Sequence, residues 1–574
     1  MTVTYGKVRR NVGFIRNKNS LISGTRIRKK YLQREILFTE RRKLNMFKKF
    51  AALTLALIMA ASMAACGETK ETTSTGSTSA ASSSSAATAA DTSEASEATA
   101  TASANVSDTL RVAITTDPEG LDPQKTAATS TYFVTMNIFE SLVRVNENWE
   151  YEPVLAESWE VADDNMSITF HLKQGVMFHN GREMTAEDVK YSIERLHEDD
   201  SSKKKYYTNI TGAEVIDDYT ITFTCDEPDA VLLTSFAYPW SVIIPQECAD
   251  DLKTNPVGTG AYKFESWVPQ QEVKLSAFAD YHGDGASIEN VVYTVVPDVN
   301  TAIVGVMSDE YDLTDVTGND ISVLEADDNV QLYTYPINSV TILGLNVDNE
   351  YLSNELVRQA MACAIDKDTI IQAVNYGYGD KVGSYLPTSA EEYIDTNDVW
   401  PYDVEKAKEL LTEAGYPDGF TIGLTLPKTY PMYADMGQII ADQLEEIGIH
   451  CEIEMVEWAD WMQNVYTDRN YDMTVMANSG RLSAYDFIAR FNSESGDYIS
   501  YTSGEADEIL NTLKTEQDIE KRTELIVEFQ ELIAENVPVI PLETQHRIYA
   551  MNSSLSGYVM YPTETTEFRL LSFN

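Results

Sequence analysis

The residue whose chemistry is easiest to name is Cys66, which directly follows an apolar run over 51–65 that ends in two alanines. Lys48 and Lys49 precede that run. A short basic segment, an apolar segment and small residues before a cysteine are typical of a bacterial lipoprotein signal. The sequence therefore predicts that the Cys66 thiol is lipidated and begins the mature chain. A plain transmembrane anchor is the alternative, but the run is shorter than the ~20 apolar residues that a spanning helix needs.

Three segments precede the first predicted strand. Residues 1–45 are basic and lack apolar periodicity, so we interpret them as a mis-annotated extension upstream of a true start at Met46; a basic cytoplasmic arm is the alternative. Residues 46–65 are the predicted signal peptide. Residues 66–107 comprise the lipidated cysteine and a stalk rich in Ser, Thr and Ala, which lacks the large apolar residues needed to form a core and is predicted to be disordered.

The charge of the chain changes sharply at Cys66. Residues 1–65 hold 15 of the 43 Lys and Arg but 2 of the 90 Asp and Glu, so the part that begins at Cys66 carries a net charge of −60. Such an acidic chain repels nucleic acid and anionic lipid, and neither is a predicted partner. The same charge keeps a protein dispersed at a crowded cell surface, and it does not by itself indicate a cationic ligand.

Residues that could carry catalysis or hold a metal form no recognisable pattern. The G-x-S-x-G, H-E-x-x-H and Walker A motifs are absent, and the six histidines are scattered. Residues 280–285 begin like a calcium loop, but the twelfth position is Val291, which has no carboxylate. We predict no catalytic residue, no metal and no cofactor. The cysteines after Cys66 lack CxxC spacing, and a Cys225–Cys248 bridge is left open.

The hydrophobic patterns indicate helices and strands in alternation, which is typical of an α/β fold with mixed sheets. Helical spacing occurs at 131–143, from Thr185 onward, and at 355–376, 404–414, 436–447 and 506–535. Strand patterns occur at 110–114, 167–172, 220–224, 291–296, 333–347, 420–426, 450–456 and 472–476. No internal repeat is visible. The folded part, from about Asp108, is long enough for two or three domains.

An ordered series of motifs resembles the extracytoplasmic solute-binding proteins of ABC importers, bacterial family 5, which is the oligopeptide-, dipeptide- and nickel-binding group. The motifs are GLDP at 120–123, FESLV at 139–143, LAESW at 155–159, FHLKQGVMFHNG at 170–181, TAEDV at 185–189, PVGTGAY at 256–262, VRQA at 357–360, AID at 364–366, KAKELL at 406–411 and AGYPDGF at 414–420. Each motif alone is weak, but the ordered set covers most of 110–542.

The resemblance implies an α/β, periplasmic-binding-protein-like fold of two lobes with mixed sheets, a two-segment hinge and an extra domain on the first lobe. Lobe I would comprise 108–149, 255–345 and 536–574. The extra domain would be 150–254 and lobe II 346–535. A ligand held between two such lobes favours the closed state, because it contacts both lobes only there.

The function that the resemblance implies is capture of a peptide or peptide-like solute and its delivery to an ABC permease with its ATPase subunits. The chain would act as a monomer on the extracytoplasmic face of the cell membrane, held by lipid on Cys66, in a Gram-positive-type bacterium. Within the class, the alternatives are a non-peptide anionic solute, a metal chelate, an oligosaccharide or an opine. A ligand-sensing surface lipoprotein is another. The absence of a nucleophile motif argues against a lipoprotein hydrolase.

In peptide-binding members, an acidic residue after the Tyr-Asp strand of lobe II pairs with the ligand ammonium. Counting from Asp472, that position falls on Arg481, and the usual aromatic residue before it is replaced by Asn478. We therefore predict that Arg481, with Asn478 and Ser479, contacts an anionic group of the ligand. Two alternatives stay open: Arg481 pairs with an acid such as Asp486 and faces solvent, or a shifted alignment makes Asp486 the ammonium anchor.

The remaining predicted ligand contacts come from other parts of the chain. Tyr485 stands where family members carry the proline of an Asp-Pro pair. Tyr132 lies at a helix that presents ligand contacts in the family, although a core aromatic residue is the alternative. Trp240 would line the cleft from the extra domain or pack within it. Asn319 follows a predicted strand near the cleft of the family, as does Asp315.

Overall fold

The computed structural model describes residues 108–126, 128–198, 201, 203–316, 318–499 and 501–574. The predictions for the extension, the signal, Cys66 and the stalk lie outside the described residues. None of the described helices has both the length and the apolar character needed to cross a bilayer. Cys225, Cys248, Cys363 and Cys451 are free thiols, so no bridge joins Cys225 to Cys248.

The strands are numbered in chain order. They are β1 (Thr109–Ile114), β2 (Val143–Val145), β3 (Tyr151–Pro153), β4 (Ala156–Val161), β5 (Ser167–Leu172), β6 (Ile210–Asp217), β7 (Thr220–Cys225), β8 (Tyr262–Val268), β9 (Glu272–Ala277), β10 (Asn290–Val295), β11 (Leu313–Val316), β12 (Val330–Pro336), β13 (Ser339–Leu345), β14 (Gly379–Lys381), β15 (Phe420–Pro427), β16 (Ile449–Val456), β17 (Met473–Ser479), β18 (Val539–Asn552), β19 (Leu555–Ser556) and β20 (Ser572–Phe573).

The α-helices are numbered in the same way. They are α1 (Thr129–Thr135), α2 (Ala186–Arg195), α3 (Val299–Met307), α4 (Ile321–Leu324), α5 (Glu355–Ala364), α6 (Lys367–Val374), α7 (Val404–Glu413), α8 (Pro431–Glu445), α9 (Trp458–Trp461), α10 (Ala484–Ile488), α11 (Gly504–Leu513) and α12 (Ile519–Asn536).

Several sequence predictions merged elements that the structure separates. The helix predicted over 355–376 is two helices, because the Asp366 side chain accepts hydrogen bonds from the backbone N–H groups of Asp368 and Thr369 and so starts α6. The helix predicted over 506–535 is likewise divided into α11 and α12, with Asp518 capping the second. Hydrophobic spacing continued across both breaks, but the capping residues decided where each helix begins.

The largest sheet has twelve strands, in the order β16-β15-β17-β13-β18-β11-β1-β10-β9-β8, with β12 and β14 also paired to β18. Parallel and antiparallel pairs both occur, since β1 is parallel to β10 and β13 is antiparallel to β17. A separate antiparallel sheet has the order β4-β5-β7-β6. The sheets are therefore mixed, as predicted.

Three hydrophobic cores organise these sheets. Core 1 surrounds β1 and β8–β11 and includes Tyr262, Tyr293 and Phe568. Core 2 lies against the four-stranded sheet and includes Phe170, Phe223 and Phe236. Core 3 contains residues of β13 and β15–β17 together with residues of α5–α12. Each core holds large aromatic or aliphatic side chains that are fully shielded from solvent, and such burial is the main favourable contribution to folding.

Two chain segments connect core 1 with core 3. Strand β18 pairs with β13 and β14 through its first half and with β11 and β12 through its second half. Its early residue Leu542 belongs to core 3, whereas Met551 belongs to core 1. The other segment is the break between β12 and β13, at Ile337 and Asn338. The strand pattern predicted over 333–347 missed this break.

Candidate functional site

Two cavities open along the segments that connect core 1 with core 3. The first, here called the sheet cavity, has a volume of about 230 Å³ and is lined by β1, α1, β11, β18 and the C-terminal tail. The second, here called the cleft cavity, has a volume of about 570 Å³. Its lining includes Asn319 after β11, Tyr376 after α6 and Met432 on α8. Asp315 and Arg547 line both cavities.

Strand register explains why these charged residues face a cavity. Asp315 of β11 lies opposite Tyr549 of β18, and Arg547 is two residues before Tyr549. Side chains two residues apart in a strand point to the same face, so all three share one face of the sheet. Ile548 and Ala550 point to the other face and pack in a hydrophobic cluster with residues of α3 and α4. The cavity face is therefore the polar one.

The sheet cavity contains two carboxyl groups and one guanidinium. Nη2 of Arg547 lies 3.5 Å from Oε2 of Glu564. The walls of the cavity displace bulk water and raise the pKa of Asp315 and of Glu564, and the Arg547 charge offsets this only in part. Asp315 nevertheless remains accessible to water through the cavities. These are charged groups in a recess that a polar ligand can enter.

A second group of side chains, here called the aromatic–cationic cluster, consists of Tyr132, Lys203, Tyr206, Tyr238, Trp240 and Arg481. The Tyr238 and Trp240 rings are stacked with their centroids 4.5 Å apart. Tyr206 lies 5.4 Å and Tyr132 6.1 Å from Trp240, again between ring centroids. Tyr238 and Trp240 belong to core 2, whereas Tyr132 comes from α1. The cluster therefore joins three parts of the chain.

Lys203 is the most unusual member of the cluster. Its Nζ lies 4.2 Å from the Trp240 ring centroid and 5.3 Å from that of Tyr132, both within cation–π distance. The residue is only 7 % exposed, and no carboxylate of the described residues forms an ion pair with it. Burial, with a smaller contribution from Lys205, lowers the pKa of Lys203 to about 8. A nearly buried cation that has no counter-charge among the described residues favours an anionic ligand.

Arg481 approaches the same cluster from the segment between β17 and α10. Its Cζ lies 5.3 Å from the Tyr206 ring centroid. The side-chain amide of Asn338 donates hydrogen bonds to the carbonyl oxygens of Arg481 and of Pro562, which fixes the segment against the C-terminal tail. The next residue, Leu482, is buried within core 2. Arg481 is thus held at a junction of the three cores and faces aromatic rings.

Asp486 lies one turn further, in α10. Burial raises the pKa of its carboxyl to about 6, although Ser483 opposes this. In the described part of the chain, no ion pair joins Asp486 to Arg481, and their charges interact only over a longer distance. Arg481 therefore does not form the ion pair with Asp486 that one alternative named, and the two oppositely charged groups stay separate candidates for the anchor.

The other predicted contacts are more scattered. Asn319 lines the cleft cavity. The Asn478 side chain is buried and interacts with Arg490 and Tyr498. Ser479 is exposed and pairs with Ser339 at the end of β17. Tyr485 packs against core 3. The structure therefore brings together Tyr132, Trp240 and Arg481 but not the whole predicted set.

Sequence reasoning missed Lys203, Tyr206, Arg547 and Glu564. Lys203 and Tyr206 lie in the run SKKKYY at 202–207, which has the appearance of a solvated charged segment. Arg547 lies in the second half of β18, where three successive polar residues, Gln545 to Arg547, precede the buried run 548–551. No alternation of polar and apolar residues in this segment indicates an arginine on one face of a strand. In the described ranges, no group of three or more His, Cys, Asp or Glu residues is arranged to hold a metal ion.

Comparison with known proteins gives consistent results. The family model described as "Bacterial extracellular solute-binding proteins, family 5 Middle" matches residues 150–498. The "Dipeptide-binding protein" of Escherichia coli (strain K12) is 26% identical over 79% of this chain and 92% of that protein. The matched family and this relative are solute-binding proteins and not enzymes, which confirms the prediction that the chain is not an enzyme.

Two solved structures show the fold. HbpA2 from Haemophilus parasuis is 26% identical and superposes with a TM-score of 0.75 over 81% of this chain and 100% of that chain. DppA from Helicobacter pylori, an ABC transporter-associated periplasmic binding protein in complex with the peptide STSA, is 27% identical. It has a TM-score of 0.68 over 81% of this chain and 98% of that chain. The predicted two-lobe α/β fold with mixed sheets is confirmed.

Proposed function

The chain belongs to the bacterial extracellular solute-binding proteins of family 5, and from this premise we propose that it captures a peptide or peptide-like solute between its two lobes. It then delivers that solute to the permease of an ABC importer. The relatives named as dipeptide-binding and as peptide-bound support this solute class. The proposed lobes follow the predicted boundaries, with lobe I at 108–149, 255–345 and 536–574, the extra domain at 150–254, and lobe II at 346–535.

The observation that carries the proposal is the aromatic–cationic cluster. Arg481 would belong to lobe II, Tyr206 and Trp240 to the extra domain, and Tyr132 to lobe I, so a solute held there contacts every part. A ligand that makes its full set of contacts only in the closed arrangement shifts the population toward that arrangement. The rings provide apolar contact with solute side chains, and the two cations provide a site for an anionic group.

The ligand contacts follow from this arrangement. Arg481 and Lys203 bind a carboxylate of the solute, and Arg481 does so bidentately where the geometry allows. Tyr132 and Trp240 flank it, and Asn319 contacts the solute at the cleft cavity. Ser479, Asn478 and Tyr485 support the Arg481 segment. Asp486 is the alternative anchor, for an ammonium group.

A second candidate within the same class is a non-peptide anionic solute. The arginine at position 481 favours it, because peptide-binding members of the resembled family carry an acid there. A metal chelate, an oligosaccharide or a surface sensor of ligand is supported by no particular contact.

Anchoring is a separate part of the proposal. Cys66 would carry lipid and hold a monomer on the extracytoplasmic face of a Gram-positive-type cell membrane. Radiolabelled palmitate fed to producing cells is expected to label the protein and to leave a Cys66→Ala variant unlabelled. Equal labelling of both proteins would contradict the lipid anchor without affecting solute capture.

The solute is tested first by native mass spectrometry of the protein purified from its own cells, where a retained peptide-sized ligand is expected. Calorimetry with trialanine and with trialanine amide then tests the anionic contact. Replacing the carboxylate by an amide is expected to weaken binding at least tenfold in the unmodified protein but not in an Arg481→Gln variant, because the charged partner is then missing.

Arg469→Gln is the matched control, since Arg469 is a lobe II arginine that pairs with the exposed Asp348. It is expected to distinguish the two peptides as the unmodified protein does. Trialanine that binds the Arg481→Gln variant with unchanged affinity would overturn the role of Arg481.

A further inference from the structure

We propose that the sheet cavity binds a primary ammonium group of the solute through Asp315 and Glu564. This inference rests on the proposed function, because it concerns the opposite end of the same solute. In this arrangement the ammonium anchor lies on the sheet that connects the lobes. It does not lie at the lobe II position that Arg481 occupies.

The charges of the cavity leave room for one more cation. Among the described residues of the cavity lining, Arg547 is the basic one, and Asp315 and Glu564 are the acidic ones. Glu564 is the carboxylate near Arg547, at 3.5 Å, whereas Asp315 forms no ion pair with any described residue. Two carboxylates and one guanidinium carry a net charge of −1. A cation that enters the recess neutralises this charge.

The walls of the cavity suit an ammonium group in particular. An ammonium has three N–H donors and no acceptor, so it needs several oxygen atoms around it. Carboxylate oxygens of Asp315 and Glu564 are available, together with hydroxyl groups from β1, β11, α1 and the residues after β1. These hydroxyl groups belong to Thr115, Thr116, Thr129, Ser130 and Thr314. A divalent metal would need more carboxylate or carbonyl ligands than this lining provides.

A hydroxyl group on a ring that stacks against a residue of the cavity wall lacks a hydrogen-bond partner in the described part of the chain. The Tyr335 ring stacks on Tyr549, which lines the cavity, and their planes are 5° apart. The Tyr335 hydroxyl is shielded from solvent and has no hydrogen-bond partner among the described residues. Buried polar atoms are normally satisfied by protein, water or ligand.

The sheet cavity and the aromatic–cationic cluster share helix α1. Thr129, Ser130 and Phe133 of α1 line the cavity, and Tyr132 of the same helix belongs to the cluster. Asn338 binds the carbonyl oxygens of Arg481 and Pro562, and Glu564 follows Pro562 by two residues. Helix α1 and the Asn338 contacts thus connect the proposed carboxylate site at Arg481 with the proposed ammonium site at Asp315.

Calorimetry on the purified full chain tests this with trialanine and N-acetyl-trialanine, which lacks the α-ammonium. Acetylation is expected to weaken binding to the unmodified protein at least tenfold. Asp315→Asn is expected to weaken trialanine binding by a similar factor and to remove the difference between the two peptides. Glu564→Gln is expected to act in the same direction. Asp328→Asn, a change at an exposed aspartate before β12, is the control and is expected to behave as the unmodified protein.

Thermal unfolding of each variant verifies that it is folded. If trialanine and N-acetyl-trialanine bind the unmodified protein with equal affinity, this inference is overturned while the proposed function stands. The same holds if the Asp315→Asn protein still binds trialanine more tightly than N-acetyl-trialanine by the full factor. If acetylation matters equally in the Asp315→Asn protein and not in an Asp486→Asn protein, the anchor is Asp486 and the inference is again overturned. A protein that binds neither trialanine nor its derivatives overturns the proposed peptide function and this inference with it.

Discussion

The aromatic–cationic cluster and the sheet cavity differ in charge, in wall chemistry and in origin. The cluster combines Lys203 and Arg481 with four aromatic rings, two of which belong to core 2 and two of which pack against it. The cavity combines Asp315, Glu564 and Arg547 with hydroxyl groups on the central sheet. One region has an excess of positive charge and the other an excess of negative charge. Charges of opposite sign in two regions that share helix α1 suit a dipolar solute.

The largest expected effect concerns the packing of the cluster. Trp240 is 9 % exposed, stacks on Tyr238 and belongs to core 2. Trp240→Ala is expected to lower the free energy of unfolding by about 3–5 kcal/mol, because a large buried side chain is replaced by a cavity. Denaturant unfolding measures this change.

The control is Tyr376→Ala, which removes an aromatic side chain from the cleft cavity at a site that is 45 % exposed. Tyr376→Ala is expected to lower the free energy of unfolding much less than Trp240→Ala does. Equal losses in the two variants would show that the cluster is not part of a packed core.

The second expected effect separates charge from packing in the cluster. Burial lowers the pKa of Lys203 from 10.5 to about 8. Between these values the unfolded chain binds more protons than the folded chain, so the stability of the unmodified protein should rise as pH rises from 8 to 10.5. Lys203→Met should lack this rise and gain up to about 3 kcal/mol at pH 7, while losing affinity for trialanine. Urea unfolding at several pH values measures both stabilities.

Lys408→Met, on the exposed side of α7, is the control and should keep the pH dependence. A Lys203→Met protein that is less stable at pH 7 would mean that the ammonium already has a stabilising partner, and the contrast between the two regions would fail.

A smaller effect is expected at Tyr132, which connects the two regions through α1. Its hydroxyl donates a hydrogen bond of 2.7 Å to the carbonyl oxygen of Thr126. Tyr132→Phe is expected to lower the free energy of unfolding by about 0.5–1.5 kcal/mol. Because the ring remains beside Trp240 and Lys203, the affinity for trialanine should change less than twofold. A large loss of affinity would indicate that the hydroxyl itself contacts the solute.

The smallest stability effect is expected in the sheet cavity. The displacement of water raises the pKa of Asp315, so the folded chain binds more protons than the unfolded chain above the ordinary value of 3.8. Stability due to this residue therefore falls as pH rises through that window, and Asp315→Asn should be slightly more stable at pH 7, within about 1 kcal/mol. Thermal unfolding at low and neutral pH detects the direction. A clearly destabilised variant would indicate an ion pair at Asp315.

The sequence predicted the fold class because many short motifs occur in the right order, and each motif fixes a turn, a cap or a strand end. It also predicted Arg481, Tyr132 and Trp240, which now lie in one cluster. Such residues can be recognised in the sequence because they stand where family members carry a different residue type, or because they follow a family motif.

The missed parts depend on tertiary structure. Strand β18 carries no alternating pattern, because residues 539–544 and again 548–551 are buried on both faces. Its register against β11, which places Arg547 near Asp315, is set by pairing between distant segments. Lys203 lies within a lysine run that is typical of solvated surface, and only the packing of Trp240 and Tyr132 against it reveals a buried cation.

The most direct test is a crystal structure of the protein grown with trialanine. We expect a closed molecule in which the peptide carboxylate lies within hydrogen-bond distance of Arg481 or Lys203 and the ammonium lies within hydrogen-bond distance of Asp315 or Glu564. A peptide bound in the reverse direction, or bound outside the space between the lobes, would contradict it.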